Sequence, residues 1–485
     1  MKEGLAGGFY SVLSQSDVER IHRASVSILQ DVGMLCETDL ALEVFTRAGA
    51  SVDRESHIVR LPAQLLETSL ASAPKTAVLF GRDHQFDIRL ESGRVHYGMG
   101  GTSEPYIWDF DLQGPRPPSK ADMVSCTRLG HALPNIDFIM ALCSAGDVAY
   151  GQHYFHEYDA ILRNTSKPVV VSVQGRRLTA RFLEMAAAAA GGEEKLRKEP
   201  CVAAYSSPVT PLRFTRYNDG MVEAAALGVP IICAGGAMVG ATSPATLAGS
   251  ISLIDAEALF GVVFAQIVKP GCPVIFAPQT NVMDMVTAQA TFGSPEQSLA
   301  RAAAVQMARF YGLPTFATGG GSDAKLPDGQ AAAEATLGMM INAMSGQTLT
   351  QNLGTLASGL YGAPEMLVIC DEIVHMIKCV FGGLKVTDDT LALDVIKEVG
   401  PGGDFLNHEH TASSFRTSLF FPAYFPRLSV ERWKERGRMS ITEVAHTTVA
   451  TILADAGPVR LPPGADSALE RALEAAIAES DAIVD

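Results

Sequence analysis

Positive charge is what this 485-residue sequence has least of: 38 Lys and Arg stand against 53 Asp and Glu, a net charge of −15. Phosphate-backbone binding needs a surplus of Lys and Arg on one face, so the balance argues against nucleic acid as a partner. It does not repel a cationic small molecule. No stretch approaches the roughly 18–20 uninterrupted apolar residues of a membrane span, and residues 1–10 hold no apolar run preceded by positive charge, so neither membrane insertion nor secretion is expected. The eight cysteines, Cys36, Cys126, Cys143, Cys201, Cys233, Cys272, Cys370 and Cys379, form no C-x-x-C pair and no cluster at zinc spacing. They read as buried thiols in a reducing compartment, which makes the cytoplasm the expected location. The phosphate-loop motif G-x-x-x-x-G-K-[ST] is missing as well. At 47% hydrophobic and 19% charged residues the chain is neither disordered nor a solvating acidic polymer.

What is present is an alternation. Residues 14–73 have a helical pattern, with Ser14 and Ser16 as caps for a helix running to Val32 and a second helix from Asp39 to Ala48. Beyond it, strand-like runs appear at Arg94–Gly98, Asp137–Leu142, Pro168–Val173, Cys201–Ser206, Pro230–Ala234, Pro273–Ala277, Pro314–Thr318 and Thr348–Leu353. A helical segment follows each of the eight, from Lys120–Leu133 to Pro364–Val380. Near-continuous apolar runs such as Val169-Val170-Val171 suit parallel strands buried on both faces. The recurring Gly-x-Pro entries at Gly228, Gly271 and Gly312 end a helix and begin a strand. Eight such units predict an α/β fold, a (β/α)8 barrel of the TIM type. The expected division is an N-terminal helical segment over 1–90, the barrel over 91–380 and a C-terminal extension over 381–485 packed on the barrel. The stretch Ala465–Ala482 is expected to be a solvated surface helix.

Barrels of this kind carry their sites at the C-terminal ends of the strands. Those ends read as polar but nearly uncharged, with Glu104 and Asp323 as their only carboxylates, no strand-end lysine and no Ser/His/Asp arrangement. Tyr97, Tyr205, Phe276 and Phe316 lie on or beside the strands. An aromatic and amide-lined mouth with few charges suits a cation held by π faces. The expected substrate-binding residues are Tyr97, Glu104, Gln174, Tyr205, Gln279, Phe316, Asp323, Asn352, His408 and His410, with Arg416 beside the last two; no catalytic residue stands out.

Three other signals are weaker. His408-Glu409-His410 has the look of a ligand pair but falls after the eighth unit, and no metal is expected. Asp109-x-Asp111-x-Gln113-Gly114 opens like a calcium loop, yet Lys120 stands where its twelfth position needs Glu. Gly319-Gly320-Gly321 leaves a phosphorylated metabolite open as an alternative substrate.

Several stretches resemble the trimethylamine methyltransferase family, nearly over the full length. They are Ile21-His22-Arg23-Ala24-Ser25, Asn164-Thr165-Ser166-Lys167-Pro168, Gly293-Ser294-Pro295-Glu296, and Ser322-Asp323-Ala324-Lys325 with Asp328 and Gln330. The tail adds Ile396-Lys397-Glu398-Val399-Gly400-Pro401-Gly402-Gly403, Phe405-Leu406, His410-Thr411, Phe415-Arg416 and Trp433. The resemblance implies a barrel that moves a methyl group from an amine to the Co(I) corrinoid, a cobalamin-type cofactor, of a separate small corrinoid protein. No cofactor is expected on this chain itself. Family members acting on trimethylamine carry pyrrolysine, whereas every position here is a standard residue, which favours a quaternary amine such as glycine betaine. Trimethylamine as donor and a non-catalytic betaine-binding role are the other readings, and a homo-oligomer is left open.

Overall fold

A computed structural model describes residues 1–149 and 151–481. Eight parallel strands form its centre: β1 Arg94–Thr102, β2 Phe138–Ala141, β3 Val169–Ser172, β4 Val202–Ser206, β5 Ile231–Val239, β6 Val274–Asp284, β7 Phe316–Thr318 and β8 Leu349–Leu353. They pair in the order β6-β5-β4-β3-β2-β1-β8-β7. A parallel bridge between Phe276 and Thr315 joins β6 to the start of β7 and closes the ring. The outer helices are α1 Lys120–Ala132, α2 His153–Asn164, α3 Gly175–Ala190, α4 Met221–Leu227, α5 Leu247–Val268, α6 Pro295–Tyr311, α7 Gly329–Ser345 and α8 Pro364–Phe381. The protein is therefore the α/β barrel that the alternation implied.

Strand parity sorts the side chains into two cores. Phe138, Met140, Val170, Ala203, Ile232, Ala234, Ile275, Ala277, Phe316 and Leu349 fill the barrel interior. The residues between them, such as Tyr97, Met99 and Phe276, face the helical layer. The N-terminal end of the interior is sealed by a hairpin, Thr76–Leu79 with Ile88–Glu91, whose Leu79, Ile88 and Leu90 join the inner core. Beside this floor Lys2 Nζ bonds Asp137 Oδ1 at 2.6 Å, while the fully buried His96 ring stands 3.7 Å from Asp137 Oδ2. Against the cost of burial, the neighbouring His96 ring and the ammonium groups of Lys378 and Lys2 hold the Asp137 carboxyl far below the usual carboxylate range.

Three sequence expectations change. The strands β1, β5 and β6 run on to Thr102, Val239 and Asp284, so Gly235, Gly236 and Gln279 lie on strands rather than after them. The stretch 14–73 holds more than helices: Met34–Cys36, Ser51–Asp53 and Ile58–Arg60 build a small sheet, completed by Arg213–Phe214 from the loop after β4. Strands of three residues are too short to show a period. Finally, the helix Ala465–Asp481 is docked, because Leu469, Leu473 and Ala476 make a buried stripe facing α3 and α2. Glu479 pairs with Arg177 and Arg181 of α3, and Glu470 with Arg163 of α2.

One helix among the described residues, α5, is long and apolar enough to cross a membrane, and it is packed inside the protein. Its two acidic side chains bond within the fold. Tyr311 OH donates to Asp255 at 2.7 Å, and Glu257 accepts from Thr210 Oγ1 and from the Leu212 N–H.

Candidate functional site

At the C-terminal end of the interior the apolar filling stops and a hydrogen-bonded layer begins. Gln279 Nε2 donates to Tyr205 OH at 3.1 Å, and Gln279 Oε1 accepts from Thr318 Oγ1 at 3.3 Å and from Gln351 Nε2 at 3.2 Å. One amide on β6 thus ties together β4, β7 and β8. The Tyr205 ring packs against Phe316 at 5.7 Å between centroids, and Phe316 in turn against Phe138 at 6.4 Å. Gln351 Oε1 is buried with no partner, an acceptor left over at the mouth. Burial raises the Tyr205 hydroxyl above its usual range, so it stays a neutral phenol.

A second group gathers where β8 meets β1. Asn352 sits at a left-handed φ of 68°, which turns its side chain toward Gly101 and away from the regular strand alternation. A Cβ at Gly101 would lie 2.7 Å from Asn352 Nδ2 and 2.9 Å from Glu104 Oε1, so glycine is required for this approach. Glu104 Oε1 accepts from Thr355 Oγ1 at 2.9 Å, while its buried Oε2 has no partner. Desolvation, with the neighbouring Glu157 charge adding to it, pushes the Glu104 carboxyl up to about 8. Glu104 is then a neutral acid at pH 7. Glu157 differs: Ser103 Oγ, Ser144 Oγ and the Ala145 N–H occupy its oxygens, so it braces the loops after β1 and β2.

Asp323 is a brace as well. Its Oδ1 accepts from the Phe292 N–H at 2.6 Å and Ser358 Oγ at 2.8 Å, and its Oδ2 from the Gly293 N–H at 3.0 Å. It clamps together the loops that follow β6, β7 and β8. Glu334 supports it from α7 by accepting from Ser322 Oγ and the Asp323 N–H. The three glycines beside it are packed: an added Cβ would meet Thr350 at Gly319, Leu353 at Gly320 and Phe292 at Gly321, all under 3 Å. They permit close packing and form no phosphate cradle.

Of the ten expected binding residues, Tyr205, Gln279 and Phe316 come together in the layer, with Glu104 and Asn352 in the second group. Tyr97 does not reach the mouth. Its hydroxyl donates outward to the Met339 carbonyl of α7, because His96 and Gly98 hold the inward phase of β1. Phe276 likewise faces Tyr311 on the helical side. Gln174, half-buried, is the residue that enters α3, its N–H donating to Thr179 Oγ1. His408 and His410 join neither group. His408 Nδ1 caps the helix Glu409–Ser418 by accepting from the His410 N–H, and its Nε2 lies 3.5 Å from Glu398. Gln351, Thr318 and Thr355 were missed, although the inward phase of β8 already pointed to Gln351. Among the described residues no three His, Cys, Asp or Glu side chains gather as a metal site.

The family stretches acquire structural reasons here. Lys167, almost fully buried, donates to the Gly130 and Leu133 carbonyls at 2.8 Å and so caps the C-terminus of α1. Desolvation lowers its ammonium to about 7. His22 Nδ1 is 3.2 Å from Tyr311 OH, tying the first helix to α6 and, through Tyr311, to Asp255. The cleft of about 520 Å³ beside His22 lies at the opposite end of the barrel from the mouth.

The protein is thus a TIM-type barrel whose strand ends carry an aromatic and amide layer. The family model for trimethylamine methyltransferase (MTTB) matches residues 6–480, and the chain belongs to that family. It is 34% identical over 464 residues to trimethylamine methyltransferase MttB of Desulfitobacterium hafniense (strain DSM 10664 / DCB-2), covering 95% of this chain and 91% of that protein. Glycine betaine methyltransferase of D. hafniense (strain Y51) is 30% identical, with 95% and 96% covered. A crystal structure of the Methanosarcina barkeri monomethylamine methyltransferase aligns over 94% of this chain and 97% of its own at 12% identity, with a TM-score of 0.45. The protein is a methyltransferase.

Proposed function

We propose that this enzyme takes a methyl group from a quaternary amine, of which glycine betaine is the type, and passes it to the Co(I) corrinoid of a separate small protein docked over the barrel mouth. The observation that carries the reading is the layer of Tyr205, Gln279, Thr318 and Gln351, which offers rings and neutral dipoles and no free charge. A quaternary ammonium is attracted to the face of Tyr205, which the buried Phe316 ring backs from below. Its positive charge is lost as the carbon leaves nitrogen, so a carboxylate against it would stabilise substrate more than transition state. Glu104, held neutral by burial, avoids that penalty.

The corrinoid is the methyl acceptor and supplies a cobalt nucleophile. The electron pair of the broken C–N bond returns to nitrogen, so the leaving group is a neutral tertiary amine and needs no proton donor from the protein. What the residues contribute is position. The Tyr205 ring fixes the cation, Phe316 and the Gln279 amide fix the ring of Tyr205, and the Asp323 clamp holds the surrounding loops. Eight unpaired cysteines suit a cytoplasmic setting for this chemistry.

The test is demethylation of a panel of quaternary amines, including glycine betaine, proline betaine and carnitine, by purified protein supplied with free Co(I) cobalamin. Turnover of at least one is expected, followed by the cobalamin absorbance. The similarity to a trimethylamine methyltransferase favours a second reading, trimethylamine as donor. Turnover of trimethylamine alone would establish it and discard the quaternary amine. Binding of a betaine with no turnover would leave a binding protein, and demethylation without any corrinoid would refute the acceptor.

A further inference from the structure

Between α8 and the helix Ile441–Asp455 the chain leaves the barrel and forms an arm, residues 384–438. Its helices Asp388–Leu391, Leu393–Val399, Glu409–Ser418 and Val430–Glu435 contain no buried residue. The apolar side chains face outward: Leu384 is 94% exposed, Leu406 77%, Val386 71%, Leu419 63%, Leu393 58% and Phe421 54%. Helices of four to ten residues are marginal by themselves. Fixing their backbone costs about 1–2 kcal/mol per residue, which burial of apolar surface has to offset. The arm's helices have no such burial, and only Tyr424 and Phe425 of its connecting segment pack, partly buried, against the core. The arm is attached at a few points: Glu372 Oε2 accepts from the Ala423 and Tyr424 N–H groups at 2.9 and 2.7 Å, and Phe420 packs on His375.

The charges say what covers it. Residues 384–410 hold two lysines against six Asp and Glu, a net −4, whereas residues 411–438 hold six Lys and Arg against two Glu, a net +4. The arm is neutral in a chain of net charge −15 and is divided into an acidic and a basic half. A two-fold axis across such a segment sets the acidic half of one copy on the basic half of the other, with the apolar side chains between them, as a self-complementary interface requires.

We propose that the arm is a homotypic docking surface whose occupant is the same arm of a second copy of this chain. His408, His410 and Arg416 then belong to the contact between subunits.

Sedimentation velocity on the full chain tests this. Wild type is expected at an even multiple of the 51.4 kDa chain mass at micromolar concentration. The double variant Leu384→Glu/Leu406→Glu is expected to fall to a smaller species with its melting temperature preserved. A second pair of variants probes the charge pattern. Asp388→Lys/Asp389→Lys/Asp394→Lys gives both halves of the arm a net positive charge, +2 and +4, and Arg432→Glu/Lys434→Glu/Arg436→Glu gives both a net negative charge, −4 and −2. Each alone is expected to lose the assembly and an equimolar mixture to restore it. A monomeric wild type, an assembly unchanged in the leucine variant, or charge-reversed variants that behave alike alone and mixed would overturn the proposal.

Discussion

At the N-terminal end of the barrel interior, Phe138, Val170, Ile232, Ile275 and Leu349 pack against Leu79, Ile88 and Leu90 of the sealing hairpin. At the C-terminal end, along the same strands, Tyr205, Gln279, Thr318 and Gln351 share hydrogen bonds, and acceptors at Gln351 and Glu104 are left without partners. The floor is filled by apolar side chains, although both ring nitrogens of the buried His96 beside it have no hydrogen-bond partner. The mouth keeps unsatisfied groups, one strand-end residue at positive φ and a carboxyl held neutral. Apolar packing and open polar groups are thus concentrated at opposite ends of one cylinder, and Asp323 and Glu157 hold the loops of the polar end in place.

Cutting into the floor should cost the most. Phe138→Ala removes a fully buried ring that fills the space opposite Gly98, where no side chain can expand into the cavity. A loss of about 3–5 kcal/mol is expected in denaturant unfolding. A comparable loss in Phe138→Ala and in a Gln279 variant would erase the distinction between the ends.

Asp137→Asn comes next, at about 2–3 kcal/mol, since it leaves the Lys2 and Lys378 ammonium groups beside the floor without their anionic partner. The sign in pH follows from the depressed carboxyl. Its contribution is present above the unfolded value near 4 and is lost as pH falls below it. Wild type and variant should thus differ at pH 7 and converge in acid, and a gap that persists unchanged at pH 3 would assign the loss to packing.

At the mouth, Gln279→Leu should raise KM about tenfold, equivalent to about 1.4 kcal/mol, while the melting temperature changes little. It frees the Tyr205 ring and unpairs Gln351 Nε2. A fall in stability matching that of the floor variants would make the layer a core element.

The smallest effect on rate belongs to Glu104→Gln, less than about twofold at pH 7 by the reasoning that the side chain is already neutral. Its signature lies in stability against pH. A carboxyl raised to about 8 stabilises fully below its unfolded value near 4.5, and that contribution is lost as pH rises through 8. The variant should therefore gain on wild type progressively between about pH 4.5 and 8. Parallel stability curves would show that Glu104 is ionised, and with it that the mouth carries a fixed negative charge.

How far these features were legible differs by scale. The eight units, the Gly-x-Pro entries at Gly228, Gly271 and Gly312, and the rule that sites sit at strand ends were enough to place Tyr205, Gln279, Glu104 and Asn352 on the proper end of the barrel. The orientation of single residues was less accessible. Tyr97 and Tyr205 look alike in the sequence, yet one faces α7 and the other the interior, because the phase of a strand flips with each residue and depends on the register with its neighbours. Asp323 looked like a ligand residue, since nothing local reveals that the backbone of residues 292 and 293 comes to meet it. His408 and His410, expected among the binding residues, lie instead on the arm. Its exposure is a property of where the chain travels after α8.

By itself the sequence determined the architecture, the family and the polar, carboxylate-poor character of the strand ends, all of which rest on residue type and on short-range period. Tertiary structure alone decided which carboxyl braces and which stays free, which aromatic lines the mouth, and which apolar residues remain uncovered. These depend on contacts between residues far apart in the chain, such as Glu104 with Thr355 or Glu372 with Ala423, and on the low-dielectric surroundings those contacts create.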